Sequence, residues 1–300
     1  MKRAAFAALA LALAVSNMSC QVNLTPEGIS KGWHAYNDAK KDLTPENEYY
    51  IGRSVATNLL SRAQYKYIDS DAFAEGQLGK TTAYVNAVGN VLAATAMGSP
   101  RKGDRPSPIS GWHFVIVDDD TINAFAASGG FILVNKGLIK AAKSEDELAA
   151  VLAHEVAHTV RGHAIGSIQK ARMAGVYKEM LNSTVQLDEA QLGTLTKAFE
   201  GAMDDMINGM VVKGYSKDTE FEADKVGIKI LAEAGYDPQA FIRLLETLEK
   251  KTGGGGGGFS ATHPSAKERI AKLKGEAEKL GKVKAPKVRK ERFDAAIAEL

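Results

Sequence analysis

The sequence predicts a helix-rich α+β domain with one small β-sheet, and three observations carry that expectation. Apolar residues recur at helical spacing over most of the chain. Short apolar runs bounded by turn residues fall between Trp112 and Val134. Helix start and stop signals bracket the other segments, among them Thr44-Pro45, Ser144 with Glu147, Gly235 and Asp237-Pro238.

In chain order, Pro45 sits at a first helical position, where its missing N–H goes unmissed. Helical spacing runs from Glu46 to about Tyr67 and again from about Thr81 to Met97. Gly98 to Gly111, rich in proline, glycine and charge, is a loop. Trp112 to Val117 and Phe131 to Val134 read as strands, and Asn123 to Ala127 between them adds a third. Ser144 and Glu147 form a capping box, and the helix they open carries Leu148, Val151, Leu152 and Val156 as an apolar stripe, as a half-buried helix would. Ala164 to Gly214 is helical with breaks near Asn182 and Gly193. A helix from about Lys217 to Ala234 ends at Gly235, and Asp237-Pro238 opens another. Six glycines, Gly253 to Gly258, precede a charged helix from Ser265 to Leu280, and a basic stretch with a short amphipathic helix fills Lys282 to Leu300.

With 300 residues, 45% hydrophobic and 25% charged, the chain can bury a sizeable core, which excludes a disordered class. A net charge of +2 with both signs interspersed excludes nucleic acid as a partner. Met1-Lys-Arg and the apolar run Ala4 to Val15, too short to span a bilayer, make residues 1–19 an export signal. The single cysteine, Cys20, follows directly, so no intrachain disulfide is available and lipid attachment is the expectation. Ser19 fits the lipoprotein pattern, whereas Asn17 and Met18 depart from it. Residues 20–43 are then a tether, 44–281 the folded domain and 282–300 a C-terminal tail and helix. The expected location is the periplasm, with a lipid anchor in the outer membrane.

Chemistry concentrates in His154-Glu155-Val156-Ala157-His158. On a helix, residues i and i+4 share a face, so both imidazoles reach one metal ion while Glu155 points to its open side. A catalytic zinc site takes three protein ligands. The best third candidate is Glu220, which shares a helix face with Asp224, and small Gly227 there lets two helices approach closely. A third histidine ligand at the other common spacing is excluded, because Arg161 and Ala164 stand where glycine and histidine are needed; His163 reads as a structural residue at the helix end. Met203, Met206 and Met210 recur at helical spacing and read as core.

With these motifs together, and with Ile122-Asn-Ala-Phe-Ala, Gly129 to Leu138 and Thr262-His-Pro-Ser265 beside them, the chain resembles the M48 peptidases from about Pro45 to about Arg269. It is most similar to the short, single-domain lipoprotein members. The resemblance implies a zincin-like metallopeptidase domain in which a strand edge borders the active-site cleft and pairs with extended peptide. It implies one zinc ion per chain on His154, His158 and Glu220, with Glu155 as general base. Asp224 would orient a ligating histidine or donate a proton, Arg269 would pair with Asp224 or stay solvated, and His263 would approach the metal. The glycine run would be a loop insertion or a hinge for His263. Substrates would be unfolded or damaged envelope proteins, as in quality control. A rival reading is a chaperone-like assembly lipoprotein with a structural metal.

Overall fold

The computed structural model describes residues 42–61, 77–169, 214–252, 263–298 and 300. Apart from Asp42 and Gln169, all belong to one compact unit, residues 43–168 and 204–300. The expected export signal with Cys20, most of the stretch from Ala164 to Gly214 that was expected to be helical, with its methionines, and the glycine run lie outside the described residues.

Helix α1 (Pro45–Ser61) starts where Thr44 Oγ1 accepts the Asn47 N–H at 3.3 Å. Helix α2 (Gln77–Gly98) leads through a loop to strand β1 (His113–Val117), followed by β2 (Ala124–Ala126) and β3 (Phe131–Asn135). The sheet order is β1-β3-β2, with β1 parallel and β2 antiparallel to β3. A tight turn at Ser128–Gly130 joins β2 to β3 with positive φ at Gly129 and Gly130. Side chains there would also collide: a Cβ on Gly129 would lie 2.7 Å from Tyr49 Cα, so the turn and α1 fit only without one.

Strand alternation divides the core. Phe114, Ile116, Ile132 and Val134 face the main cluster, whereas Val117, Phe125 and Leu133 pack with Val55 and Leu59 of α1 on the other side. The outer edge of β1 is covered by Asn86 of α2, whose amide donates to Phe114 O at 2.8 Å and accepts from Phe114 N at 3.2 Å. That leaves β2 as the open edge among the described strands.

After the short helix α3 (Lys136–Ala141) comes α4 (Glu145–Val160), the helix of the paired histidines. Ser144 caps it by accepting the Glu147 N–H at 3.2 Å, as the capping box requires. The expected half-burial is wrong: every residue of α4 except Thr159 is buried. The reason is that α2, β2, α5 and α6 all contact it, and its alanines at 149, 150, 153 and 157 let them come close. Helix α5 (Lys217–Glu233) carries the second motif and is capped by Ser216. Helices α6 (Gln239–Thr252), α7 (Ala266–Leu280) and α8 (Lys287–Ile297) complete the unit.

The first turn of α4 is acidic and buried, an arrangement that needs positive partners. Helix α8 supplies them. Arg292 pairs with Glu145, and Arg289 with Asp146 at 3.1 Å, while the hydroxyls of Tyr84 and Tyr236 donate to Glu145 at 2.9 and 3.0 Å. Phe293 of α8 is buried in the main core, and Ala296 beside it is buried as well. Among the described residues no helix is long and apolar enough to cross a membrane.

Helices α4 and α5 meet at Gly227, where an added Cβ would lie 3.1 Å from Ala153 O and from His154 N and Cα. Gly227→Val is therefore expected to lower stability by about 1–3 kcal/mol in urea denaturation. Gly275→Ala on α7, with nothing within 4 Å of the new carbon, is expected to raise it by about 0.5–1 kcal/mol.

Candidate metal centre

The helical period places Glu220, Asp224 and Gly227 in one stripe of α5, and that stripe faces the histidines of α4. His154 Nε2 and His158 Nε2 are 3.1 Å apart. Glu220 Oε2 lies 3.5 Å from His154 Nε2, and Oε1 lies 3.4 Å from His158 Nε2. His263, just before α7, brings Nδ1 to 2.5 Å from Glu220 Oε2. One donor atom from each of these four residues lies within 4.8 Å of the others, the only such group among the described residues.

Behind the donors, His154 Nδ1 lies 2.9 Å from Asp224 Oδ1. Arg269, wholly buried on α7, holds Asp224 with two bonds, Nη2 to Oδ1 at 2.6 Å and Nε to Oδ2 at 2.9 Å. Of the two options for Arg269, the structure takes the pair with Asp224, because α7 crosses α5 at that point. Phe241 meets the His154 ring edge-on at 6.2 Å, and Tyr215 stacks on His158 at 4.5 Å with its hydroxyl 3.4 Å from Ala126 O.

Charge follows from burial and partners. Burial pushes the Glu155 carboxyl up to about 7, with Glu220 adding to the rise and His154, Arg269 and the Ala126 amide opposing it. Burial would also raise Glu220, but the facing charges of His263 and His158 and the hydrogen bonds from His154 and His263 hold it far below the carboxylate range. Asp224 behaves likewise: burial raises it, and Arg269 and His154 more than offset that. Burial and Arg269 depress His154, yet hydrogen bonds with Asp224 and Glu220 leave it at about 9. Burial pushes His158 well down, lowers His263, and takes His163 to about 4.

Two imidazole nitrogens and an ionised carboxylate are a donor set for a divalent metal. Buried Glu220 Oε1 and Glu155 Oε1 have no hydrogen-bond partner, which is a heavy cost unless a cation, or a water it orders, meets them. The residues therefore fit a metal ion.

All six residues singled out in the sequence, His154, Glu155, His158, Glu220, Asp224 and His263, come together here. Other participants were missed. Tyr215 precedes α5 and carries no motif, and Phe241 is one apolar residue among many. His163, read as a helix-end residue, places Nδ1 2.9 Å from His158 Nδ1. Its five-residue offset from His158 is a signal only once the chain is seen to turn at Gly162, where φ is 67°.

Residues 79–277 match the family model Peptidase_M48, described as peptidase family M48. The chain is 33% identical to the β-barrel assembly-enhancing protease of Yersinia pestis over 173 residues, covering 56% of this chain and 32% of that protein. It is 32% identical to the mitochondrial metalloendopeptidase OMA1 of Schizosaccharomyces pombe over 195 residues, 64% of this chain and 52% of that one. It is 27% identical to the metalloprotease YcaL of Escherichia coli K12 over 222 residues, 72% of this chain and 80% of that one. The chain thus spans about a third and about half of the length of the first two relatives.

Two outcomes follow from this electrostatic arrangement. Arg269→Met strands Asp224 as a buried charge and is expected to cost about 3–5 kcal/mol in denaturant titration, with much of that recovered in the Asp224→Asn, Arg269→Met double variant. Glu155 is raised from 4.5 to about 7 on folding, so the stability it allows is intact below pH 4.5 and is lost as pH rises through 7. In chelator-treated protein, the melting-temperature gain from Glu155→Gln should therefore widen between pH 5 and pH 8. A constant gap would contradict the burial argument.

Proposed function

Because the chain belongs to peptidase family M48, we propose that it is a zinc-dependent endopeptidase acting on unfolded or damaged proteins of the cell envelope. The observation that carries this reading is the convergence of His154, His158 and Glu220 beside a buried Glu155 whose Oε1 lacks a partner.

His154, His158 and Glu220 would hold the ion, a set that suits zinc and leaves one position open. Zinc, when bound, supplies Lewis acidity that polarises the scissile carbonyl and makes water a better acid. Glu155, buried beside the donors, would take a proton from the attacking water and pass it to the leaving amine. Asp224, fixed by Arg269, keeps the Nδ1 proton of His154 directed at itself and so turns Nε2 inward. With both its oxygens engaged, Asp224 serves orientation rather than proton donation. His263, whose Nδ1 lies 2.5 Å from Glu220 Oε2, would stabilise the oxyanion of the tetrahedral intermediate.

Substrate affinity would come from the β2 edge. Asn123 O and Ala127 N bond to β3, so alternation turns the backbone groups of Ala124 and Ala126 away from it. An extended peptide would add there by displacing Tyr215 from Ala126 O and Asn123 Oδ1 from Ala124 N while the Ala126 N–H stays with Glu155, a mode with weak sequence preference that suits unfolded chains. Two relatives named for β-barrel assembly and for mitochondrial proteolysis support a protein substrate. Export through residues 1–19 and a lipid on Cys20 belong to the same proposal, supported by Lys2-Arg3 and the apolar run after them. A chaperone-like role with a structural metal is not favoured, since a closed site has no use for a buried base.

The test compares wild type with Glu155→Gln for zinc content and casein cleavage. We expect one zinc per chain in both and cleavage reduced at least about 100-fold in the variant. Equal cleavage would remove the peptidase reading.

A further inference from the structure

Each imidazole that turns Nε2 to the centre must have its other nitrogen fixed, because the partner of Nδ1 sets both tautomer and ring plane. For His154 the partner is Asp224. For His158 it is another imidazole, His163 Nδ1 at 2.9 Å.

We propose that His163, backed by Glu222 and Arg161, is the positioning residue for His158, accepting its Nδ1 proton and so aiming its Nε2 at the metal. This inference rests on the metal-centre reading above.

Two imidazole nitrogens at 2.9 Å need one proton between them. His158 Nε2 faces His154 Nε2 and Glu220 Oε1, so as a ligand it must present its lone pair there, and the proton resides on Nδ1. His163 Nδ1 then accepts, which puts the His163 proton on Nε2. That nitrogen faces Glu222 Oε2 at 3.7 Å, a separation that a small side-chain movement closes to a hydrogen bond. Glu222 is itself gripped by Arg161, whose Nε donates at 2.7 Å. Arg161 Nη1 in turn donates to Asp104 Oδ1 at 3.0 Å and Lys102 O at 2.9 Å. Polar contacts thus run from the 101–105 loop through Arg161 to Glu222, and from His163 to His158, with the 3.7 Å step between Glu222 and His163 the one that is not a hydrogen bond.

Local backbone makes this possible. The left-handed turn at Gly162 brings His163 back alongside His158, and a Cβ at Gly162 would strike Arg105 Cδ at 2.4 Å. Tyr215 stacks on the His158 ring, so that ring is constrained in its plane and at its outer nitrogen. Glu222, two residues after Glu220 and otherwise a half-exposed surface charge, gains a role through this chain.

A residue that merely fills space predicts something different. Leucine at position 163 fills volume without an acceptor, whereas asparagine sets an acceptor oxygen near the place of Nδ1. In the full-length protein, zinc affinity measured against a competing chelator should fall about 10–100-fold in His163→Leu and return most of the way in His163→Asn. His158→Ala should lose the metal altogether. Equal loss in the leucine and asparagine variants, or wild-type affinity in the leucine variant, overturns the positioning role while leaving the centre intact. Wild-type affinity in His158→Ala would instead overturn the metal reading itself. Histidine 15N spectra of the zinc-loaded wild type need no variant to fold. They should show the proton of His158 on Nδ1 and that of His163 on Nε2; the opposite tautomers would refute the inference.

Discussion

The contact of α4 with α5 at Gly227 is the constraint on which the rest of the structure depends. A glycine there lets the backbone of His154 sit against α5, and one turn and two turns earlier on the same stripe stand Asp224 and Glu220. At that separation their carboxylates reach the histidine nitrogens on opposite sides of the ring, Asp224 at Nδ1 and Glu220 at Nε2. A wider gap would leave water between the helices, and the carboxylates would be solvated rather than committed to the imidazoles.

Such an approach buries charge, and the structure answers with matched partners on every side. Arg269 from α7 neutralises Asp224, and Arg289 and Arg292 from α8 neutralise the acidic first turn of α4. The helix of the paired histidines is thus held at its first turn by α8 and at its middle by α5 and α7. Breaking a buried pair leaves an uncompensated charge, so these contacts favour one arrangement over slipped alternatives. At the centre itself, Glu155 and Glu220 each keep a buried oxygen without a hydrogen-bond partner. Two buried carboxylate oxygens left unsatisfied beside a pair of imidazoles mark a place where a cation completes the structure.

How much of this was legible in the sequence depended on whether the signal was local. Caps, strands and the two motif helices follow from neighbours a few residues apart, and Ser144 caps α4 as its pairing with Glu147 indicates. The ligand pair at i and i+4 and the Glu220, Asp224, Gly227 stripe are local in the same sense. What could not be read is what arrives from elsewhere in the chain. The burial of α4 on all sides depends on four other elements, and an apolar stripe on one face says nothing of alanines that admit neighbours on the others. Arg269 looks like one more basic residue on a charged helix until α7 crosses α5. His163 looks like a helix terminus until the turn at Gly162 folds it back, and the basic C-terminal segment hides the two arginines that meet Glu145 and Asp146.

The central claim is that three side chains from two helices grip one divalent cation and leave it open to substrate. Anomalous scattering at the zinc absorption edge from crystals of the zinc-loaded protein tests it most directly. The account predicts a single peak within about 2.0–2.2 Å of His154 Nε2, His158 Nε2 and a Glu220 oxygen, with a non-protein ligand completing the shell. A peak on other residues, or a shell closed by four protein side chains under all conditions, would contradict it.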